Sequence, residues 1–311
     1  MMEAMGAAIS GLEAQQTMLN TTASNLANVD TIGYKSQETS FVDALSQTIA
    51  GGSSQTAQNA GTNPEQVGLG VSVGAIQNDM GQGADQSTGI ATDLAIQGNG
   101  FFQVANSSSS TGSSNAEQQA GGDGGPAGVL TASSSPTIDP TTISYTRAGN
   151  FKISSQGYLV TQGGQYVLGQ AGPATSGTVR TSPSGNTGVP IQIPTGATAV
   201  AISSSGEVTY SYNNTQYTAG YLQMATFNNN AGLSRDGGSL WSATTASGNP
   251  SIATAGVGGI GTLQSGELES SNVDMATEFA NMIDAQNGYE ADSKVITTAD
   301  HMLQTLVQMP Q

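Results

Sequence analysis

The sequence predicts an α+β chain with one helix at each end and a β-rich central domain of short antiparallel strands. Three observations predict it. Apolar residues recur at spacings of four and three at both ends, and they alternate around glycine-containing turns in the middle. The composition is also poor in charge. Of 311 residues, 36% are apolar and 9% charged, against roughly 25% charged in an ordinary domain. Ser, Thr, Gly, Asn and Gln fill the difference, a mixture that suits β-structure with many turns and stretches too polar to bury a core.

The N-terminal helix is read from Met5, Ile9, Leu12, Leu19, Ala23 and Leu26, with Gln16 in the polar slot. A 4-3 spacing is the narrow seam of a coiled coil rather than a broad amphipathic face. No Pro interrupts it, and Gly33, beyond Asn28, offers a left-handed stop. The C-terminal helix is expected to begin near Ser271, where Ser271-x-x-Asp274 resembles a capping box with Asp in the place of Glu. Its stripe is Met275, Phe279, Met282, Tyr289, Ile296 and Leu303, widened by Ile283, Ala299, Leu306 and Val307. Gln286, Ser293 and Asp300 are polar slots, Glu278 flanks the seam, and Pro310 ends it. One partner helix covers only one side of such a seam. Both ends are therefore expected to be marginal in a lone molecule and to order against neighbouring copies.

Between the helices, Thr198 to Tyr212 alternates around Ser204-Ser205-Gly206, a hairpin signal. Phe151 and Ile153, then Tyr158 and Val160, flank Ser154 to Gly157 in the same way, and Tyr166 to Leu168 follows Gly163-Gly164 as a further short strand. The tract 106–142 is rich in Ser, Gly and Thr and reads as a flexible surface insertion, and 51–64 is similarly loop-like. The expected organisation is a helix over 1–30, an extended linker over 31–80, the β-rich domain over 81–270 and a second helix over 271–311.

Several function classes drop out. There is no Cys, so disulfides, thiolate chemistry and Zn–Cys sites are excluded. With six basic residues and a net charge of −16, the chain cannot neutralise a row of phosphates, and neither nucleic acid nor an acidic membrane is an expected partner. No window is apolar enough to insert in a membrane, and no basic-then-apolar leader is expected to be cleaved. Gly98-x-Gly100 and Gly68-x-Gly70 lack the helix and basic residue of a phosphate loop and read as turns. His301, the single histidine, lies on the C-terminal helix with no arranged acid–base set around it. Glu267 and Glu269 read as a solvated face rather than a metal site, and Trp241 as an anchor of the β-domain. No enzyme, no cofactor and no metal is expected. A secreted β-rich binding protein or adhesin is the alternative from another class.

Four blocks carry a resemblance. They are SGLEAQQTMLNTTASNLANVDTIGYKSQETSF (Ser10 to Phe41), DLAIQGNGFFQV (Asp93 to Val104), YTRAGNFKISSQGYLVTQGGQYVLG (Tyr145 to Gly169) and the long run from Leu263 to Gln304. In this order they resemble the bacterial flagellar hook and rod axial proteins. The resemblance implies that the terminal helices pair, as an antiparallel-type coiled coil, and stack with other copies into an inner tube while the β-domain forms the outer wall. Met5, Ile9, Leu12, Leu19, Leu26, Phe279, Met282, Tyr289, Ile296 and Leu303 would be the assembly seam, and Asn28, Gly33, Tyr34 and Lys35 the turn from helix to wall. It further implies passage through a type III export apparatus without a cleaved signal, and a place in the flagellar hook outside the cell or in the basal body. Partners would be copies of itself in a helical tube, rod proteins below, and hook cap and hook–filament junction proteins at the distal end. Gly61 to Ile76 and Gly266 to Ile283 look hook-like, so the hook, the flexible coupling between motor and filament, is the expected location, with the distal rod as the alternative.

Overall fold

The computed structural model describes residues 2–52, 54, 61–107, 138–171 and 188–308. Most of the tract expected as a flexible insertion, residues 108–137, lies outside them, as does much of 51–64. The chain divides into two compact units. One comprises Met1–Val29, Lys35–Asp79 and Val273–Gln311, the other Asp30–Tyr34 and Met80–Asn272.

The first unit holds the two expected helices, α1 (Met2–Ala27) and α2 (Met275–Gln308). Neither contains a Pro, and at 1.5 Å per residue α2 is about 50 Å long. α2 begins four residues later than Ser271. Asp274 is its cap, accepting the Ala276 N–H at 2.9 Å and the Thr277 hydroxyl at 3.1 Å, so the short acidic side chain serves the first turn by itself.

α1 and α2 pack antiparallel, and the register is fixed by three positions. Asn25 Nδ2 donates to Glu278 Oε1 at 2.8 Å. A Cβ added to Gly288 would stand 2.8 Å from Gln15 Nε2, and one added to Gly11 would meet the Asp292 carboxylate.

The stretch expected as an extended linker carries strands. Gln37–Asp43 pairs with Val71–Asn78, and Ser46–Ala50 with Glu65–Gly68, both antiparallel. The Ala44 N–H to Gly70 carbonyl and Leu69 N–H to Leu45 carbonyl bonds join these pairs into one two-stranded ribbon. The ribbon is tied to α1 near its base and at its middle. Thr21 and Thr39 hydroxyls meet at 2.7 Å, and Ser10 Oγ accepts the Val71 N–H at 3.3 Å.

The second unit is the β-rich domain. Its central element is the long strand Thr215–Thr226, which pairs with Glu207–Tyr212, Tyr166–Ala171, Phe101–Phe102 and Ser251–Thr254. Gly220, Leu222 and Met224 alternate inward along it, the period-2 signature of a half-buried strand. The expected hairpin is present, with Ile202 opposite Val208 and Gly206 at φ +81°. So is the shorter pair in which Leu159 faces Ile153 around Gly157. A further hairpin turns at Asn213-Asn214, both with positive φ, as a two-residue turn between twisted strands requires. Phe101 and Phe102 are adjacent on one strand and so point to opposite faces. Phe102 enters a large apolar cluster with Leu94, Ile96, Phe151, Leu222 and Met224, while Phe101 joins Tyr145, Phe227, Leu233 and Trp241.

Candidate assembly site

The helix pair presents two different surfaces. Its inner line is small and polar: Ala8, Gly11, Ala14, Thr22 and Asn25 on α1 are buried, with Thr21 buried toward the ribbon. On α2 the buried positions are Glu278, Ala285 and Ala299, with Gly288 and Asp292 half-buried between them. Glu278, Ala285, Asp292 and Ala299 are seven residues apart, as are Gly11, Met18 and Asn25. The heptad is present, but it runs through residues that let two backbones approach closely.

The large apolar side chains read as the seam lie outside that line. Ile9, Phe279 and Tyr289 are exposed, while Met5, Leu12, Leu19, Leu26, Met282, Ile296 and Leu303 are half-buried. With Met275, Ile283, Val295, Met302, Leu306 and Val307, also exposed, they leave α2 with wet apolar surface along its whole length.

Asn25, within the Asn25-Leu26-Ala27-Asn28 run, is 1% exposed and satisfied on every side. Its Nδ2 donates to Glu278 and to the Gln37 carbonyl, and its Oδ1 accepts the Gln37 N–H. One amide thereby joins α1, α2 and the start of the ribbon. Burial pushes the Glu278 carboxyl above its usual range, the Asn25 hydrogen bond opposes this, and the charge of Asp274 adds to it. Asp274 itself is held below the usual carboxylate range by the Ala276 backbone N–H and the Thr277 hydroxyl and N–H.

The 28–35 turn is built by local bonds. Asn28 and Val29 N–H groups donate to the Asn25 and Leu26 carbonyls, and Asn28 Nδ2 to the Ser24 carbonyl, closing α1. Gly33 adopts φ +66° against the Arg147–Ala148 backbone, where a Cβ would stand 2.7 Å from the Ala148 nitrogen, so only glycine fits. Tyr34 is buried under the Arg235 guanidinium, 4.7 Å from the ring centroid, and the same guanidinium lies 4.9 Å from Trp241. Lys35 is buried as well.

The chemical motifs fall where turns and packing need them. Gly98 and Gly100 have φ +104° and +139°, and His301 is exposed on α2. Trp241 is in the second core cluster. Glu269 departs from the expected solvated face: it is fully buried and paired with Arg147 at 3.1 Å. Alternation places both glutamates on one face of the strand, and what distinguishes Glu269 is the cover and the charge it meets there; its partner is 122 residues away, beyond the reach of any local pattern. Among the described residues no group of His, Asp or Glu could hold a metal ion, and no helix is long and apolar enough to cross a membrane.

Long paired terminal helices with apolar flanks left wet, in a chain that also folds a β-rich unit, define a structural subunit of an assembly. Comparisons with known proteins agree. Residues 5–35 match the family described as flagella basal body rod protein, 137–210 the flagellar hook protein FlgE/F/G D1 domain, and 264–309 the flagellar basal body rod FlgEFG protein C-terminal. The flagellar basal-body rod protein FlgG of Bacillus subtilis is 38% identical over 99% of both chains. That of Caulobacter vibrioides is 35% identical over 99% of both. The flagellar hook protein FlgE of Borreliella burgdorferi is 26% identical over 99% of this chain and 100% of its own. The chain belongs to the flagellar rod and hook axial family, whose members are structural, self-polymerising proteins of the flagellum and not enzymes.

Proposed function

We propose that this chain is the distal rod subunit of the flagellar basal body. The observation that carries this reading is length. Rod relatives named FlgG match it end to end over 312 residues or fewer, whereas the hook relative needs an alignment of 442 residues, setting much of the hook protein opposite gaps. The hook remains the second reading, supported by the match to that hook protein and by the hook-like runs at Gly61 to Ile76 and Gly266 to Ile283.

In either place α1 and α2 line an inner tube and the β-rich domain forms the wall. The exposed and half-buried apolar side chains from Met5 to Leu26 and from Phe279 to Leu303 are covered by neighbouring copies. Asn28, Gly33, Tyr34 and Lys35 turn the chain from helix to wall. Subunits reach the growing end through the type III export apparatus, above other rod proteins and below those that continue the axis.

Basal bodies purified from a strain lacking this chain distinguish the two readings. The expected image under the electron microscope is a truncated rod with no hook. A complete rod that merely lacks its hook overturns the distal-rod reading in favour of the hook.

A further inference from the structure

Stretches far apart in the sequence converge on one buried ion pair in the β-rich unit. Arg147 Nη1 donates to Glu269 Oε2 at 3.1 Å, the two side chains being 4% and 0% exposed. Arg147 Nη2 donates to the Gly98 carbonyl at 2.8 Å, and the guanidinium lies 5.4 Å from the Phe101 ring centroid. Glu269 Oε1 accepts the Gly83 N–H at 3.0 Å, and the Glu269 carbonyl accepts the Gly33 N–H at 2.8 Å. Each of the four resembling blocks contributes to this cluster.

The segment Asp30–Tyr34 enters the unit at this point. Besides the Gly33 bond, the Asn272 N–H donates to the Tyr34 carbonyl and Ser239 Oγ to the Ile32 carbonyl, both at 3.4 Å. Tyr34 stacks under Arg235. None of its residues belongs to either apolar cluster. A segment held by hydrogen bonds and one buried ring, outside both apolar clusters, opens at lower free energy than the strands behind it. The lock over it is itself under-satisfied, because Arg147 Nε is buried with no acceptor among the described residues, and such a donor opposes closure.

We propose that the Arg147–Glu269 pair is a lock governing separate opening of the 30–34 strap, with the core of the β-rich unit folded in both states. Paired, it places the Glu269 carbonyl that receives Gly33 and the segment that reaches Tyr34. Unpaired, each charge is left in a water-excluded site, and the region relieves this by letting solvent in. The Gly33–Glu269 backbone bond joins residues far apart in the sequence, so the strap is expected among the later parts of this unit to become protected during refolding.

Amide hydrogen exchange on the full-length chain tests this, comparing the two strap amides, the Gly33 N–H and the Asn272 N–H that bonds the Tyr34 carbonyl, with those of Leu159 and Leu222, which bond the Ile191 and Gly206 carbonyls in the core. In Glu269→Gln the strap amides are expected to exchange at least tenfold faster, with the core amides within twofold of the parent. Arg147→Lys, which keeps the charge but loses the fork, is expected to give the same pattern at smaller size. Unchanged strap amides, or acceleration of all four by one common factor, overturns the proposal. Should Glu269→Gln fail to fold, Arg147→Lys decides; if neither folds, strap and core are one cooperative unit and the lock as proposed does not exist.

Discussion

Alanine at Leu306 and Val307 together separates what holds the lone chain from what holds the assembly. In the single chain these side chains are 60% and 82% exposed, so a neighbour that covers them removes surface the fold itself leaves in water. At roughly 2 kcal/mol for a fully covered aliphatic side chain, the uncovered shares are worth about 2–3 kcal/mol per subunit. Truncation to Cβ forfeits about 2 kcal/mol of this, and at tenfold per 1.4 kcal/mol the critical concentration for polymerisation rises roughly thirtyfold. The lone chain should be almost indifferent. Surface substitutions usually stay within about 0.5 kcal/mol, and Ala is the best helix former. Pelleting assays give the critical concentration, and far-UV melting of the dilute chain gives the monomer's stability. A critical concentration within threefold of the parent would refute the reasoning, as would a melting temperature that falls in step with assembly.

The two carboxylates at the start of α2 should titrate with opposite signs. Glu278 has a raised folded pKa, so its contribution is fully present below its unfolded value, about 4.3, and is lost as pH rises through the folded one. Glu278→Gln, which keeps the acceptor for Asn25, should flatten the rise in melting temperature on acidification from neutral pH toward the unfolded value. Asp274 is depressed, so its cap is present above its unfolded pKa and lost as pH falls below it; Asp274→Ala should fray α2 by circular dichroism at pH 7 yet match the parent near pH 2. Gly149→Ala would drive a Cβ into the Leu94 carbonyl, and since the site is buried backbone on backbone, a loss of at least about 2–3 kcal/mol is expected in denaturant melts. Finally, Lys35 and Arg147 are buried and Arg235 is stacked on rings, leaving Lys152 and Lys294 as the exposed cations among the described residues. Contacts between copies then have few salt bridges to screen, while the −16 charge repels; polymer should survive or gain stability as salt rises, and dissolution by moderate salt counts against this.

Elements with a strong period or a turn residue were legible in the sequence. Both helices and the hairpins around Gly157 and Gly206 follow from local spacing, and local spacing is what decides them, whereas Gly33, expected as the helix stop, is left-handed six residues beyond the end of α1 and is held there by the Arg147–Ala148 backbone. Three features were hidden for physical reasons. Strands such as Gln37–Asp43 and Ser46–Ala50 are largely exposed and polar, so the 31–80 region reads as a linker; its pairing rests on a return strand about 30 residues on. The inner line of the helix pair is hidden because a sequence pattern marks contact by large apolar side chains, whereas the contact is made where side chains are smallest. And the burial of Glu269 depends on Arg147, which only the tertiary fold brings near.

The small inner line of the helix pair bears most directly on assembly. A helix pair joined by leucines would spend its apolar surface on itself and have little left for other copies. Here Gly11, Ala14, Ala285 and Gly288 bring the backbones close while removing little apolar area from water, so the pair is specified more by geometry than by hydrophobic gain. The buried Asn25–Glu278 contact adds register at some cost in stability, as single polar pairs in coiled coils do. The surface that could have stabilised the pair, from Met275 and Phe279 through Ile283 to Leu306 and Val307, is turned outward. Such a pair is recognisable as a unit in one molecule, yet its largest favourable term is realised only when other molecules cover that outer face.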